Sequence, residues 1–198
     1  MMFNNENALV EAIDKCGLGI WPNFLSPETL LETRKDFDLL KASGQFRRAG
    51  VGHGQGGTIE NEVRRDEIYW LNRGDSSPIQ TKLWERLDQI KQNLNRTIFL
   101  GIREFEGHYA AYAPGGFYRR HLDAFQDNTS RVVSFVLYLN LDWKPEDGGQ
   151  LKVYGPDESH TMIDPIGGTL VCFLSGESEH EVLPSKAYRA SFTGWFKT

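Results

Sequence analysis

RVVSFVLYLNL, residues 131–141, is the stretch on which the fold turns. It is a short apolar run rich in β-branched and aromatic residues, without proline or glycine, and therefore has strand character. Working outward, the same character recurs in IFLGIREF (98–105), YAAYA (109–113), GQLKVYG (149–155), GTLVCFL (168–174) and ASFTGWF (190–196). Turn formers separate these runs: Pro114-Gly115-Gly116, Glu146-Asp147-Gly148-Gly149 and Gly167-Gly168. Many short strands with turns at this spacing predict a jelly roll, that is, a double-stranded β-helix of cupin-like kind.

Upstream of residue 97 the periodicity becomes helical. Residues 5–16 read as a short helix stopped by Gly17, and Ser26-Pro27-Glu28 supplies an N-cap, a first-turn proline and an early acid. The helix that follows, to about residue 43, carries Leu30, Phe37 and Leu40 on one stripe, with Gly44 where a C-terminal glycine belongs. Ser77-Pro78 opens a third helix whose face is Ile79, Leu83, Leu87, Ile90 and Leu94. Helices gathered at one end of the sequence would buttress the sheet, so the expected class is α+β rather than alternating βαβ units. The expected organisation is one domain over residues 1–198, with helical and loop support in 1–96 and a jelly-roll catalytic core in 97–198.

Composition narrows the function classes. A chain of 198 residues with 39% hydrophobic residues, five Trp, seven Tyr and twelve Phe can bury one substantial core. A formal charge of -5 offers no broad basic surface for a phosphate backbone. No window approaches the roughly 18 apolar residues of a membrane span. Neither nucleic acid nor membrane is therefore an expected partner. With only Cys16 and Cys172, and an amphipathic N-terminus lacking a basic region followed by an apolar core, the expectation is an unsecreted, cytoplasmic protein without structural disulfides. Gly52-His53-Gly54-Gln55-Gly56-Gly57 has the letters of a dinucleotide fingerprint but neither the strand before it nor the helix after it. It reads instead as a mobile surface loop of the lid or binding kind.

The chemistry concentrates in His121, Asp123, His180 and Arg189. Two imidazoles and one carboxylate occupy three facial positions on Fe(II) and leave the others open for substrate and oxygen. With five His and twelve Asp in 198 positions, a His-x-Asp is expected by chance about 0.3 times, so the triad needs its context. In an extended segment, residues i and i+2 face one side, which lets His121 and Asp123 converge on one ion. His180 opens the run HEVL after the strand GTLVCFL, where a small barrel would place a ligand in its mouth. His53, His108 and His160 read as solvated or core-satisfied, since none is followed two residues later by a carboxylate. Arg189 lies on the last strand, on one face with Ser191, Thr193 and Trp195. It suits bidentate capture of a carboxylate-bearing cosubstrate such as 2-oxoglutarate, or a structural ion pair with one of the 27 acids. Residues 181–188 allow one short strand and a turn, which predicts that His180 and Arg189 stand on adjacent strands facing one cavity.

These residues sit in longer motifs: Arg65-Asp66-Glu67-Ile68-Tyr69-Trp70, Tyr112-Ala113-Pro114-Gly115-Gly116-Phe117-Tyr118-Arg119-Arg120-His121-Leu122-Asp123, Val136-Leu137-Tyr138-Leu139-Asn140-Leu141-Asp142-Trp143, Gly148-Gly149-Gln150-Leu151 and His180-Glu181-Val182. Together they resemble the Fe(II)- and 2-oxoglutarate-dependent dioxygenases, in particular the prolyl 4-hydroxylase domains akin to those acting on hypoxia-inducible factor. The resemblance implies His121, Asp123 and His180 as iron ligands and Arg189 as the partner of the distal carboxylate of 2-oxoglutarate. It implies Tyr138 and Thr193 as hydroxyls near that carboxylate, Tyr112 as a lining of the cosubstrate pocket, and Asp66, Arg131 and Trp195 at the substrate entrance. The implied cofactors are Fe(II), 2-oxoglutarate and oxygen, with ascorbate a further candidate; the products are succinate and carbon dioxide. The implied partner is a proline-containing protein or peptide, elongation factor Tu being the candidate for a bacterial member. Residues 46–67, with Arg47, Arg48, Arg64 and Arg65 among glycines, are the expected counterpart of the loop that closes on the substrate. A hydroxylase of a free amino acid or other small molecule, a non-catalytic iron or 2-oxoglutarate sensor and a zinc hydrolase are the alternatives. The sequence leaves the oligomeric state open.

Overall fold

Local signals start and stop three helices. In the computed structural model, which describes residues 5–50, 60–124 and 130–198, α1 spans Glu6–Cys16, α2 Pro27–Ala42 and α3 Pro78–Ile98. Asn5 and Ser26 accept the backbone N–H groups of Ala8 and Thr29, and Ser77 forms a capping box with Gln80. Gly17, with φ of 69°, takes the left-handed turn that ends α1. The third helix runs further than expected. Ile98 continues the stripe of Ile90 and Leu94 and packs on the same core, and the Asn95 side chain bonds both the N–H and the C=O of Ile102 to close the turn. The front of IFLGIREF is therefore helix end and turn, and the strand begins only at Glu104.

Among the described residues there are eleven strands: β1 (Leu18–Trp21), β2 (Arg47–Arg48), β3 (Glu67–Trp70), β4 (Glu104–Tyr112), β5 (Tyr118–His121), β6 (Arg131–Tyr138), β7 (Leu151–Tyr154), β8 (His160–Ile163), β9 (Leu170–Leu174), β10 (His180–Val182) and β11 (Arg189–Lys197). They form a seven-stranded sheet in the order β1-β9-β6-β11-β4-β3-β2 and a four-stranded sheet in the order β5-β10-β7-β8. All pairings are antiparallel. This is the expected jelly roll with buttressing helices. The glycine-rich run 52–57 lies outside the described residues.

Both faces of the large sheet are buried, and the two-residue period of its strands sorts them. Tyr109, Ala111, Val133, Phe135, Leu137, Cys172, Phe192 and Phe196 face the helices, where Leu9, Ile13, Phe37, Leu83, Leu87 and Ile90 meet them. Their sequence neighbours Ala110, Tyr112, Val136, Tyr138, Val171 and Phe173 face the other way, onto Leu151, Val153, Ile163 and Val182 of the smaller sheet. That double burial is why the central strands read as nearly continuous apolar runs. Three strands, β1, β2 and β3, come from residues 1–96, where the sequence predicts only helix and loop. Each has two to four residues. Segments that short carry too little periodicity to announce themselves; they extend because β9, β4 and β3 offer them a backbone to pair with.

Candidate active site

Strand ends bring the three expected ligands together. His121 closes β5, His180 opens β10, and the two are direct cross-strand partners with ring centroids 4.2 Å apart. Asp123 lies two residues past the end of β5, in a bend rather than in the strand. Even so, its carboxylate stands 3.6 Å from His121 Nε2 and 3.5 Å from His180 Nε2. One ligand atom from each of the three lies within 4.8 Å of the others.

The surroundings aim these atoms at a common point. His121 Nδ1 lies 2.7 Å from the Arg119 carbonyl and His180 Nδ1 3.0 Å from the Ser178 carbonyl. A carbonyl can only accept, so each Nδ1 carries a hydrogen, and in the neutral imidazole it is Nε2 that offers a lone pair on the side of Asp123. Two such lone pairs and a carboxylate within reach of one point form a donor set for a cation, and imidazoles oriented by backbone carbonyls are the ordinary support of metal ligands. Ser134 Oγ donates to Asp123 Oδ2 at 2.7 Å. Burial alone would raise the Asp123 pKa, but His180, His121 and the Ser134 hydroxyl hold its carboxyl well below the usual carboxylate range. Burial pushes His180 down to about 4 against the pull of Asp123, so it is neutral and able to ligate at pH 7. The donor set fits Fe(II).

Arg189 settles between the sheets with 1% of its surface exposed. Its Nε donates to the Gly149 carbonyl at 3.0 Å, and its guanidinium lies 4.9 and 5.2 Å from the ring centres of Tyr112 and Tyr138. Among the described residues no carboxylate pairs with it, which removes the structural ion pair as an account of this residue. Beside it the Tyr138 hydroxyl is buried and makes no well-formed hydrogen bond among the described residues; burial pushes its pKa up to about 12, although the neighbouring Arg189 guanidinium opposes the shift. The expectation of adjacent strands is corrected: His180 belongs to the small sheet and Arg189 to the large one. They meet by facing each other across one cavity of about 690 Å³, which Tyr112, His121, Asp123, Arg131, His180, Arg189, Thr193 and Trp195 all line.

Neither Tyr138, which stands behind Arg189, nor Asp66 lines that cavity. The buried carboxylate of Asp66 takes a bidentate pair of bonds from Arg64, at 2.6 and 2.7 Å, and it is Arg64 that reaches the wall. The Arg64 guanidinium covers the Tyr118 ring at 4.2 Å, and Tyr118 stacks on His121 with centroids 3.6 Å apart. Arg131 lies 3.6 Å over the Trp195 ring and pairs with Glu106 at 3.0 Å. His108, expected to be solvated or satisfied, is neither: it is 4% exposed, lines the cavity, and its Nδ1 has no partner among the described residues. Arg64 belongs to the loop expected to close on the substrate, and a signal existed for His108 as well. His108 is four residues from Tyr112 on β4, so it shares a strand face with a residue already singled out. Nothing local indicated the stacking of Tyr118 or the support from Ser134.

Comparison with known proteins agrees with this geometry. Residues 107–197 match the family model described as the 2OG-Fe(II) oxygenase superfamily. The crystal structure of a Pseudomonas putida prolyl-4-hydroxylase superposes with a TM-score of 0.88 at 37% identity, over 98% of each chain. A Trichoplax adhaerens prolyl hydroxylase, solved in complex with a peptide of the hypoxia-inducible-factor oxygen degradation domain, gives 0.85 at 29% identity, over 97% of this chain and 88% of that one. An uncharacterized PKHD-type hydroxylase of Synechocystis is 27% identical over 195 residues, covering 88% of this chain and 61% of the relative. The chain thus spans about three fifths of the length of that curated relative. No helix of the described residues is long and apolar enough to cross a membrane.

Proposed function

The chain belongs to the 2OG-Fe(II) oxygenase superfamily, and from that premise we propose that it is a prolyl 4-hydroxylase acting on a proline within a polypeptide. The observation that carries this reading is Arg189, a buried guanidinium that no carboxylate of the described residues pairs, next to the Tyr138 hydroxyl and in one cavity with His121, Asp123 and His180. A dicarboxylic acid meets these needs. One carboxylate would pair with Arg189, with Tyr138 and Thr193 alongside, which leaves the 2-oxo acid end for the metal.

His121, Asp123 and His180 would hold the iron. Held there, Fe(II) and 2-oxoglutarate would let oxygen hydroxylate an unactivated C–H bond, one oxygen atom going to the substrate and the other to succinate as carbon dioxide leaves the cosubstrate. The chain's own part is orientation and exclusion of water. The carbonyls of Arg119 and Ser178 fix the two imidazoles, Ser134 fixes Asp123, and Arg189 sets the direction of the cosubstrate. Trp70, Tyr118 and Trp195 wall the cavity with rings that keep water from the reacting centre. Arg131 and Trp195 are the candidates for contact with the polypeptide, and Arg64 takes the place expected for Asp66. The peptide bound by the Trichoplax relative supports a polypeptide substrate. The free thiols of Cys16 and Cys172 agree with a reducing, cytoplasmic setting.

The test is turnover. Fe(II), 2-oxoglutarate and oxygen, with or without ascorbate, should yield succinate together with the mass gain of one oxygen atom on proline in a peptide panel that includes segments of elongation factor Tu. Oxygen gained by a free amino acid and by no peptide would move the reading to a small-molecule hydroxylase. Absence of any oxidised product would move it to a sensor.

A further inference from the structure

The cavity wall carries a third imidazole, one that the chemistry above does not use. His108 stands on β4 between two indoles, with Trp70, its cross-strand partner on β3, at 4.9 Å and Trp195 of β11 at 5.5 Å between ring centres. His108 Nδ1 and Trp195 Nε1 are both buried, and neither has a hydrogen-bond partner among the described residues. Bare polar atoms on a buried wall weaken a fold, and an aliphatic side chain between the indoles would avoid the cost. Their retention in one cavity points to a ligand that satisfies them.

The two groups differ in a way that selects the ligand. An indole N–H can only donate, whereas a neutral imidazole presents one N–H and one bare nitrogen. Burial pushes His108 down to about 3, and Arg64 and Arg131, each held by its own carboxylate, add to the shift. The imidazole is therefore neutral at pH 7 and keeps its acceptor. In the tautomer with the hydrogen on Nε2, the bare Nδ1 is the acceptor, and one fixed donor beside one acceptor is the complement of a secondary amide, whose carbonyl accepts and whose N–H donates. A free amino acid offers no such group.

We propose that His108 and Trp195 form an amide-recognition subsite that seats a peptide bond of the substrate beside the metal centre, with His108 as the specificity-determining residue. This rests on the prolyl hydroxylase reading and names the chemistry by which a polypeptide would be told from a free amino acid. The experiment pairs His108→Leu, which removes both nitrogens, and His108→Asn, which keeps a donor and an acceptor, with the proline peptide that the wild type turns over best. The same peptide is also made with single backbone amides near the proline replaced by esters. His108→Leu should raise the peptide KM about tenfold, leave the KM for 2-oxoglutarate unchanged and melt no lower than the wild type, while His108→Asn recovers most of the loss. One ester position should cost the wild type the same factor and cost His108→Leu nothing further. An unchanged peptide KM in His108→Leu, a matching rise in the KM for 2-oxoglutarate, or equal ester effects in both proteins would overturn the subsite. A wild type that binds no peptide at all would overturn the prolyl hydroxylase reading as well, and is told apart because the subsite alone fails only where the wild type binds.

Discussion

His108 and His180 are imidazoles that the folded protein keeps neutral, pushed down from an ordinary 6.5 to about 3 and about 4 by burial. The unfolded chain protonates both as pH falls through 6.5, and the folded chain refuses those protons. The unfolded state therefore binds more protons in this window, and stability drops as pH falls. For metal-free protein each imidazole should contribute a loss of up to about 1.4 kcal/mol per pH unit between pH 6.5 and 4.5. Urea denaturation from pH 7 down to about 5.5 is the check, since ordinary carboxylates stay ionised there. His108→Leu should remove about half of the slope; the same slope in both proteins would mean that His108 is protonated in the fold. Arg189 shows the opposite choice. A guanidinium cannot shed its charge on burial, so its isolation among Tyr112, Tyr138 and the Gly149 carbonyl persists as a demand for an anion.

At the scale of the element, β4 and β11 form the spine of the site, since their cavity faces carry His108, Tyr112, Arg189, Thr193 and Trp195. Close approach of the two strands depends on a pair of glycines, Gly107 and Gly194, directly opposite each other in the register. A Cβ on Gly194 would lie 2.0 Å from the Glu106 carbonyl oxygen and 2.6 Å from the Phe135 ring, and one on Gly107 would lie 2.6 Å from the Phe192 ring. Backbone within a paired strand cannot yield as a flexible side chain can, so Gly194→Ala should cost about 3 kcal/mol. Chemical denaturation measures this directly, and a variant as stable as the wild type would refute the close-approach account. Capping residues and stripes made the three helices legible in the sequence, and strand composition made β6, β9 and β11 legible. The short strands β1, β2 and β3 were not legible, because pairing with distant partners rather than local pattern makes them strands.

Over the whole molecule, the helices and the large sheet share one apolar layer in which Leu9, Ile13, Phe37, Leu83, Leu87 and Ile90 pack on Phe135, Leu137, Phe192 and Phe196. Neither half of the chain completes that layer alone, so we expect one cooperative unit. Thermal unfolding followed by tryptophan fluorescence and by far-UV dichroism should give coincident single transitions, and residues 97–198 expressed alone should aggregate through the uncovered face. Two separated transitions, or a soluble folded fragment, would contradict a single domain. By itself the sequence determined what local chemistry can encode: helix limits, the two-residue sorting of strand faces, and the His-x-Asp spacing that prepares a metal site. The tertiary structure alone decided that His180 and Arg189 meet across two sheets, that Asp66 is occupied by Arg64, and that His108 is left bare between two indoles. Periodicity tells which way a side chain points from its own backbone, whereas burial, charge pairing and an unmet hydrogen bond depend on what distant segments bring to the other side.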